Sequence, residues 1–152
     1  MIDVSFFFAL AMFAFVTSVT PGPNNIMLLA SGAQFGFRRT LPHMLGIVLG
    51  VATLLLSTLL GLGALFTLYP PLYSVLKWVG CAYLLWLAWK IAHAAAPGKG
   101  KAAARPMTML QAAAFQWVNP KAWAMALGAI SAYAADGNLV SVLMVVLIFA
   151  LV

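Results

Sequence analysis

An all-α, polytopic membrane protein is the fold class that the sequence predicts, and three observations predict it. The chain of 152 residues is 65% hydrophobic and only 7% charged, with a mean hydropathy of +1.07. A soluble domain of this length cannot bury that much apolar surface, so its solvent must be largely lipid. The apolar residues fall into five long segments separated by short polar or Pro/Gly-containing connections. Two of these segments are interrupted by proline inside the apolar run, near Pro21 and near Pro120.

Segment one runs from about Val4 to Ala33. As a straight helix it would be about 45 Å long, well over the ~30 Å hydrocarbon core. The stretch Thr20-Pro21-Gly22-Pro23-Asn24-Asn25 resolves the excess, because two prolines and a glycine cannot continue a helix. One half-helix is expected to end near Thr17-Ser18. A second is expected to start at Asn24 or Asn25, either of which is a good N-cap.

A short connection is expected at 34–42, holding Arg38 and Arg39, followed by segment two from about His43 to Tyr69. Gly46 and Gly50 form a G-x-x-x-G pair, with Ser57 and Gly61 on roughly the same face. Small residues at this spacing read as a helix-packing face in lipid. The partner helix can lie in the same chain or in a second subunit, so a homodimer is one candidate assembly.

Tyr69-Pro70-Pro71 is a turn, and segment three runs from about Leu72 to Ala92. Tyr73, Lys77 and Trp78 mark one end; Trp86, Trp89 and Lys90 mark the other, as suits the two interfaces of a bilayer. Residues 94–107 form a basic, Pro/Gly-containing loop. Segment four runs from about Met109 to Ala134 and is interrupted at Gln116-Trp117-Val118-Asn119-Pro120-Lys121. Asp136-Gly137-Asn138 is a turn signal. Segment five begins at Leu139 and is still apolar at Val152. Its fourteen residues reach only about 21 Å as helix, so an incomplete last span is the expectation.

Composition excludes several classes of function. The lone Cys81 permits no intrachain disulfide and no multi-cysteine metal site. Eight basic against two acidic residues give a net charge of +6. In a membrane protein such an excess encodes orientation rather than nucleic-acid binding. Six of the eight basic residues lie in or beside connections one and three. The positive-inside rule therefore places 34–42 and 94–107 in the cytoplasm and the N-terminus outside. The start, Met-Ile-Asp, has no basic n-region, and a cleaved signal peptide is not expected. Membrane-embedded catalysis would want a metal cluster, paired acids or an activated nucleophile. The sequence shows none of these, so no enzyme activity, cofactor or metal is expected.

The two interruptions are alike in kind. Each falls in the first helix of a three-helix unit, 1–93 and then 108–152, within a single transmembrane domain. A unit with an odd number of spans is followed by its copy in inverted orientation. Broken helices at corresponding positions of two inverted halves mark midplane substrate sites in secondary transporters. The candidate solute-binding residues are Thr20, Pro21, Gly22, Pro23, Asn24 and Asn25 at the first break. At the second they are Gln116, Asn119, Pro120 and Lys121. A half-helix N-terminus at Asn24/Asn25 would favour an anionic group. The amides offer donors and acceptors, and Lys121 is an ionisable residue inside an apolar segment. No carboxylate lies inside any apolar segment, so a strongly cationic solute has no counter-charge. His43 could titrate near neutral pH.

Three stretches carry a resemblance. The run Thr20–Asn25 resembles the N-terminal signature of the LysE/RhtB-type amino-acid exporter family. The stretch Val79-Gly80-Cys81-Ala82-Tyr83-Leu84-Leu85-Trp86-Leu87-Ala88-Trp89-Lys90 resembles that family's third helix. Asn119-Pro120-Lys121-Ala122-Trp123 resembles its fourth-helix motif. Their order and spacing are the family's and cover most of the chain. The resemblance implies a six-helix inner-membrane carrier that exports amino acids or close relatives, driven by an ion gradient such as that of protons. Without an intramembrane acid, a small neutral amino acid or derivative is the expected substrate. The competing expectation is a membrane subunit or truncated product without transport of its own.

Overall fold

Proline and glycine decide where the helices stop. The computed structural model describes residues 4–92 and 105–152, and its elements are helices. α1 (Val4–Val19) ends just before the Thr20-Pro21-Gly22 run, and α2 (Pro23–Phe35) leaves it at 62°. Pro23 takes the first helical position, where a missing N–H costs nothing, and Gly22 is the N-cap in extended conformation.

Neither asparagine caps α2, which corrects the expectation from sequence. Pro23 starts the helix early, so Asn24 and Asn25 already lie inside the first turn. Asn25 Nδ2 instead donates to the carbonyls of Ser18, Val19 and Thr20 at 3.0, 3.1 and 3.1 Å. These belong to the end of α1, where a helix leaves its last carbonyls without intrahelical partners.

The connection expected at 34–42 contracts to Gly36, whose φ of 79° is cheap only for glycine. α3 (Phe37–Ser57) starts directly after it and absorbs Arg38, Arg39 and Pro42 into its first turns. Thr40 Oγ1 donates to the Gly36 carbonyl at 3.0 Å and meets Ser31 Oγ of α2 at 3.0 Å, which ties the two helices across the turn. A kink follows at Thr58–Leu62, where Gly61 leaves helical geometry at φ 111°. α4 (Gly63–Leu68) completes a helical stretch of 32 residues, Phe37–Leu68, long and apolar enough to cross a bilayer. The bent pair α1–α2 meets the same criterion when taken as one span.

α5 (Pro71–Ala92) follows the expected turn. Most of the basic loop expected at 94–107 lies outside the described residues. α6 (Met109–Gln116) opens with a capping box: Thr108 Oγ1 accepts from the Gln111 N–H, and Gln111 Oε1 accepts from the Thr108 N–H. α7 (Pro120–Tyr133) and α8 (Leu139–Leu151) are capped by Asn119 and Asn138, whose side chains accept from Lys121 N–H and Val140 N–H.

Among the described residues, α3 packs most extensively against α6. A Cβ on Gly46 would stand 2.2 Å from the Met109 carbonyl oxygen and 2.7 Å from Ala112 Cβ. One on Gly50 would stand 2.6 Å from Gln116 Cγ and 2.7 Å from the Ala113 carbonyl oxygen. The partner of the Gly46/Gly50 face is therefore α6 of the same chain. In lipid this closeness matters, because helices gain little from leaving an equally apolar solvent and associate through van der Waals contact. The remaining core joins Leu10 and Ala14 of α1, Leu54 and Leu55 of α3, Ala126 and Ala129 of α7, and Val142 and Val145 of α8. Outside it, Leu29, Leu60, Leu110 and Leu151 are three-quarters or more exposed. Such an exterior suits hydrocarbon and would be an aggregation surface in water.

Candidate functional site

The two proline breaks meet in space. Asn24, in the first turn of α2, and Gln116, the last residue of α6, exchange amide hydrogen bonds. Asn24 Nδ2 donates to Gln116 Oε1 at 2.8 Å, and Gln116 Nε2 donates to Asn24 Oδ1 at 3.0 Å. Gln116 is fully buried, so its remaining polar capacity must be met inside the protein. Nε2 also donates to the Ala112 carbonyl, and Oε1 accepts from Asn119 Nδ2 at 3.3 Å. Asn119 is itself buried, and its Oδ1 accepts from the Lys121 N–H as the cap of α7.

Aromatic and glycine contacts brace the second break from outside. Trp123 Nε1 donates to the Trp117 carbonyl at 2.9 Å, and its ring lies 4.7 Å from that of Phe66. On α5, a Cβ at Gly80 would stand 2.7 Å from both Pro120 Cδ and the Val118 carbonyl oxygen. The break is thus held by close backbone approach as well as by side-chain bonds.

Lys121 links the breaks a second time. As the second residue of α7 it is at the wrong end of its own helix dipole. Its stem crosses to Gly22, and Nζ donates to the Thr20 carbonyl at the C-terminal end of α1, where the dipole charge is negative. A Cβ on Gly22 would stand 2.7 Å from Lys121 Cδ, so glycine is what leaves the stem its path.

Beside this junction lies a cavity of about 420 Å³, within the range of small-molecule sites. Its polar rim is Ser18, Asn24, Asn25, Asn119 and Lys121. Its apolar wall comes mainly from Met44, Ile47, Val48 and Val51 of α3, which recur at helical spacing. Leu28, Met125 and Phe149 close the rest. No side-chain carboxylate lines the cavity. A lysine ammonium and the N-terminal end of α2, where Asn24 and Asn25 N–H groups precede the first intrahelical bond, bring positive charge to the junction beside the C-terminal carbonyls of α1.

Of the residues singled out from sequence, Asn24, Asn25, Asn119 and Lys121 line the cavity. Gln116 stands behind them, and Thr20 contributes its carbonyl to Lys121. Pro21 is exposed, while Gly22, Pro23 and Pro120 set the backbone. Gly46 and Gly50 face α6 instead. Sequence reasoning missed the α3 wall. Its signal was the spacing of Met44, Ile47, Val48 and Val51, adjacent to the small-residue stripe that drew attention first.

Comparison with known proteins gives a consistent picture. A profile described as LysE type translocator matches residues 15–152. Cysteine/O-acetylserine efflux proteins of Salmonella typhi, Salmonella paratyphi A and Escherichia coli (strain K12) are 38% identical to the chain over 112 residues. The match covers 72% of the chain and 55% of each relative. The chain spans about half the length of the curated relatives it matches. No solved structure matches it.

Proposed function

The chain belongs to the LysE type translocator family, and from that premise we propose that it acts as a secondary-active exporter of small neutral amino acids or their derivatives. It would work in the inner membrane, with the N-terminus outside and 34–42 and 94–107 in the cytoplasm. The observation that carries the reading is the cavity at the junction of the two breaks, rimmed by Asn24, Asn25, Asn119 and Lys121. A zwitterion's carboxylate fits the Lys121 ammonium and the N-terminal end of α2. Its ammonium group fits the amide and carbonyl oxygens of the rim, each of which has a second lone pair to offer. The apolar α3 wall suits a short side chain such as a thiol or an acetyl ester. That agrees with the cysteine and O-acetylserine named for the efflux relatives.

Alternating access would come from the first three-helix unit rocking against the second. Both cross-links at the junction, Asn24 to Gln116 and Lys121 to Thr20, join one unit to the other. They would break and re-form as the cavity changes sides.

The test is uptake into inside-out membrane vesicles of labelled amino acids, including L-cysteine and O-acetyl-L-serine, with and without an imposed proton gradient. The chain is tested both as given and as the full product of its gene, with Asn25→Ala and Lys121→Ala alongside. Saturable, gradient-dependent uptake lost in both variants, with insertion intact, supports the reading. Uptake equal to empty vesicles for every solute, even with the full gene product, sinks it.

A further inference from the structure

The cavity is polar at one level and apolar on either side of it. Asn24 and Asn25 open α2 after the first break, and Asn119 and Lys121 stand at the second. A zwitterion whose two charged groups engage this level leaves its side chain to the apolar lining. That lining has two ends, and the register of the helices tells them apart.

Gly46 lies against Met109, Gly50 against Ala113 and Gln116, and Gly63 against Leu127. α6 and α7 therefore run in the same direction as α3. Met125, one helical turn past Lys121, lies beyond the breaks in that direction and forms one end of the cavity with Phe149 of α8. Phe149 belongs to the core that joins α1, α3, α7 and α8, and Met125 packs against it. This end is fixed by the contacts that hold the helices together.

The other end points back toward Gly36. α2 and α3 fold onto each other about that glycine, and Ser31 Oγ meets Thr40 Oγ1 across the turn at 3.0 Å. Counted outward from Gly36 along both helices, Asn24 comes level with Val48, and Leu28 comes level with Met44. The contact of Gly50 with Gln116, which bonds Asn24, gives the same register. Leu28 and Met44 thus stand about 6 Å along the helices from the Asn24 level. Both line the cavity, and neither belongs to the core cluster. No polar side chain lines the cavity at this end. A solute side chain that leaves the polar level can run between α2 and α3, past Ile47 and Val48, until it meets Leu28.

We propose that Leu28, with Met44 facing it, sets the longest side chain that the exporter accepts. An extended chain advances about 3.3–3.6 Å per three bonds. The distance to Leu28 therefore admits a neutral, straight side chain of about four atoms beyond the α-carbon. A thiol falls well inside that limit and an acetyl ester just reaches it. The inference rests on the exporter reading, and its test separates the two.

The full gene product is reconstituted in proteoliposomes, and exchange of labelled L-cysteine and labelled O-acetyl-L-serine is measured. Unlabelled straight-chain amino acids compete: alanine, norvaline, norleucine and the homologue two methylenes longer. For the wild type, competition should hold through norleucine and weaken by about tenfold or more for the longer homologue, because a methylene with no room is worth about that much. Leu28→Ala should bring the longer homologue to within about threefold of norleucine, a gain of most of that factor. Leu28→Phe should move the limit the other way, losing O-acetyl-L-serine exchange by about tenfold or more while keeping that of L-cysteine. Met44→Ala should act like Leu28→Ala. Leu29→Ala, at a neighbouring side chain that is 75% exposed and outside the cavity lining, should leave the profile unchanged.

Exchange by the wild type with a length profile that Leu28→Ala and Met44→Ala do not alter overturns the proposal and leaves the exporter reading standing. So does a profile that shifts in Met125→Ala instead, which would put the side chain at the core end. Absence of exchange by the wild type for both probes overturns both readings. If neither Leu28 variant inserts, Met44→Ala and the wild-type series decide: a wild type that takes the longer homologue as well as norleucine overturns the proposal.

Discussion

Asn24 and Gln116, 92 residues apart in the chain, are joined by two reciprocal amide hydrogen bonds of 2.8 and 3.0 Å. The pair fastens the first turn of one broken helix to the last turn before the other break. Because Gln116 is fully buried, no water is at hand to replace a lost partner. The junction is therefore specified chemically as well as by shape.

Removing both halves of that pair should cost less than the two separate removals added together. Asn24→Ala leaves Gln116 with unmet amide capacity in the interior, a loss of about 1–3 kcal/mol. The double variant Asn24→Ala/Gln116→Ala should be less destabilised than the sum of the singles, with a coupling of about 1 kcal/mol or more. Denaturation of the purified protein in detergent measures all four corners of the cycle, and additive effects would contradict the pairing.

The α3–α6 seam should reject any side chain at its glycines. A Cβ at Gly46 would lie 2.2 Å from a backbone carbonyl oxygen, which cannot rotate away. Gly46→Ala should therefore destabilise by about 1–3 kcal/mol, the usual cost of overpacking, and Gly46→Leu should abolish a monodisperse product. Gly32 on α2 is the control, because a Cβ there meets nothing within 4 Å. Gly32→Ala should stabilise by roughly 0.4–1 kcal/mol through lower unfolded-chain entropy. Thermal melts in one detergent compare the three directly.

Gly22→Ala probes the route of the Lys121 stem. The added methyl group would lie 2.7 Å from Lys121 Cδ, so the side chain must leave its path over the first break. Solute uptake should fall by roughly tenfold or more, the equivalent of about 1.4 kcal/mol, with helix content unchanged. Lys121→Met should fall at least as far. Wild-type uptake by Gly22→Ala in the vesicle assay would show that the Lys121 position is immaterial to the solute site.

Gly61 holds φ 111° at the kink between α3 and α4, a conformation that alanine reaches only with strain. Nothing lies within 4 Å of a Cβ there, so the cost of Gly61→Ala is conformational rather than steric. The expected destabilisation is about 1–2 kcal/mol, with faster amide exchange in Thr58–Leu62 than in α3. An unchanged exchange pattern would mean that the kink tolerates an ordinary residue.

Asn119→Ala removes the cap of α7 together with a bond to Gln116. Thr108→Ala removes a cap whose own contacts stay within α6. Each should cost about 1 kcal/mol in stability. Only Asn119→Ala should also weaken solute uptake, since Asn119 lines the cavity. Equal loss of uptake in both variants would argue that capping alone governs activity.

The sequence by itself determined where the helices break. Pro21, Gly22, Pro23 and Pro120 act through missing N–H groups and ring clashes, which are local and hold in any surroundings. The helices from Met109 onward were legible for the same reason: Asn119-Pro120 and Asp136-Gly137-Asn138 carry their cap and turn chemistry within a few residues. The tertiary structure decided which partner each side chain takes. Nothing local distinguishes Asn24, which reaches Gln116, from Asn25, which closes the end of α1. That choice depends on where α6 stands, and α6 stands where Gly46 and Gly50 let its backbone approach. The two stripes of α3 separated in the same way: Gly46 and Gly50 face α6 while Met44 and Ile47 line the cavity, and only packing assigns them.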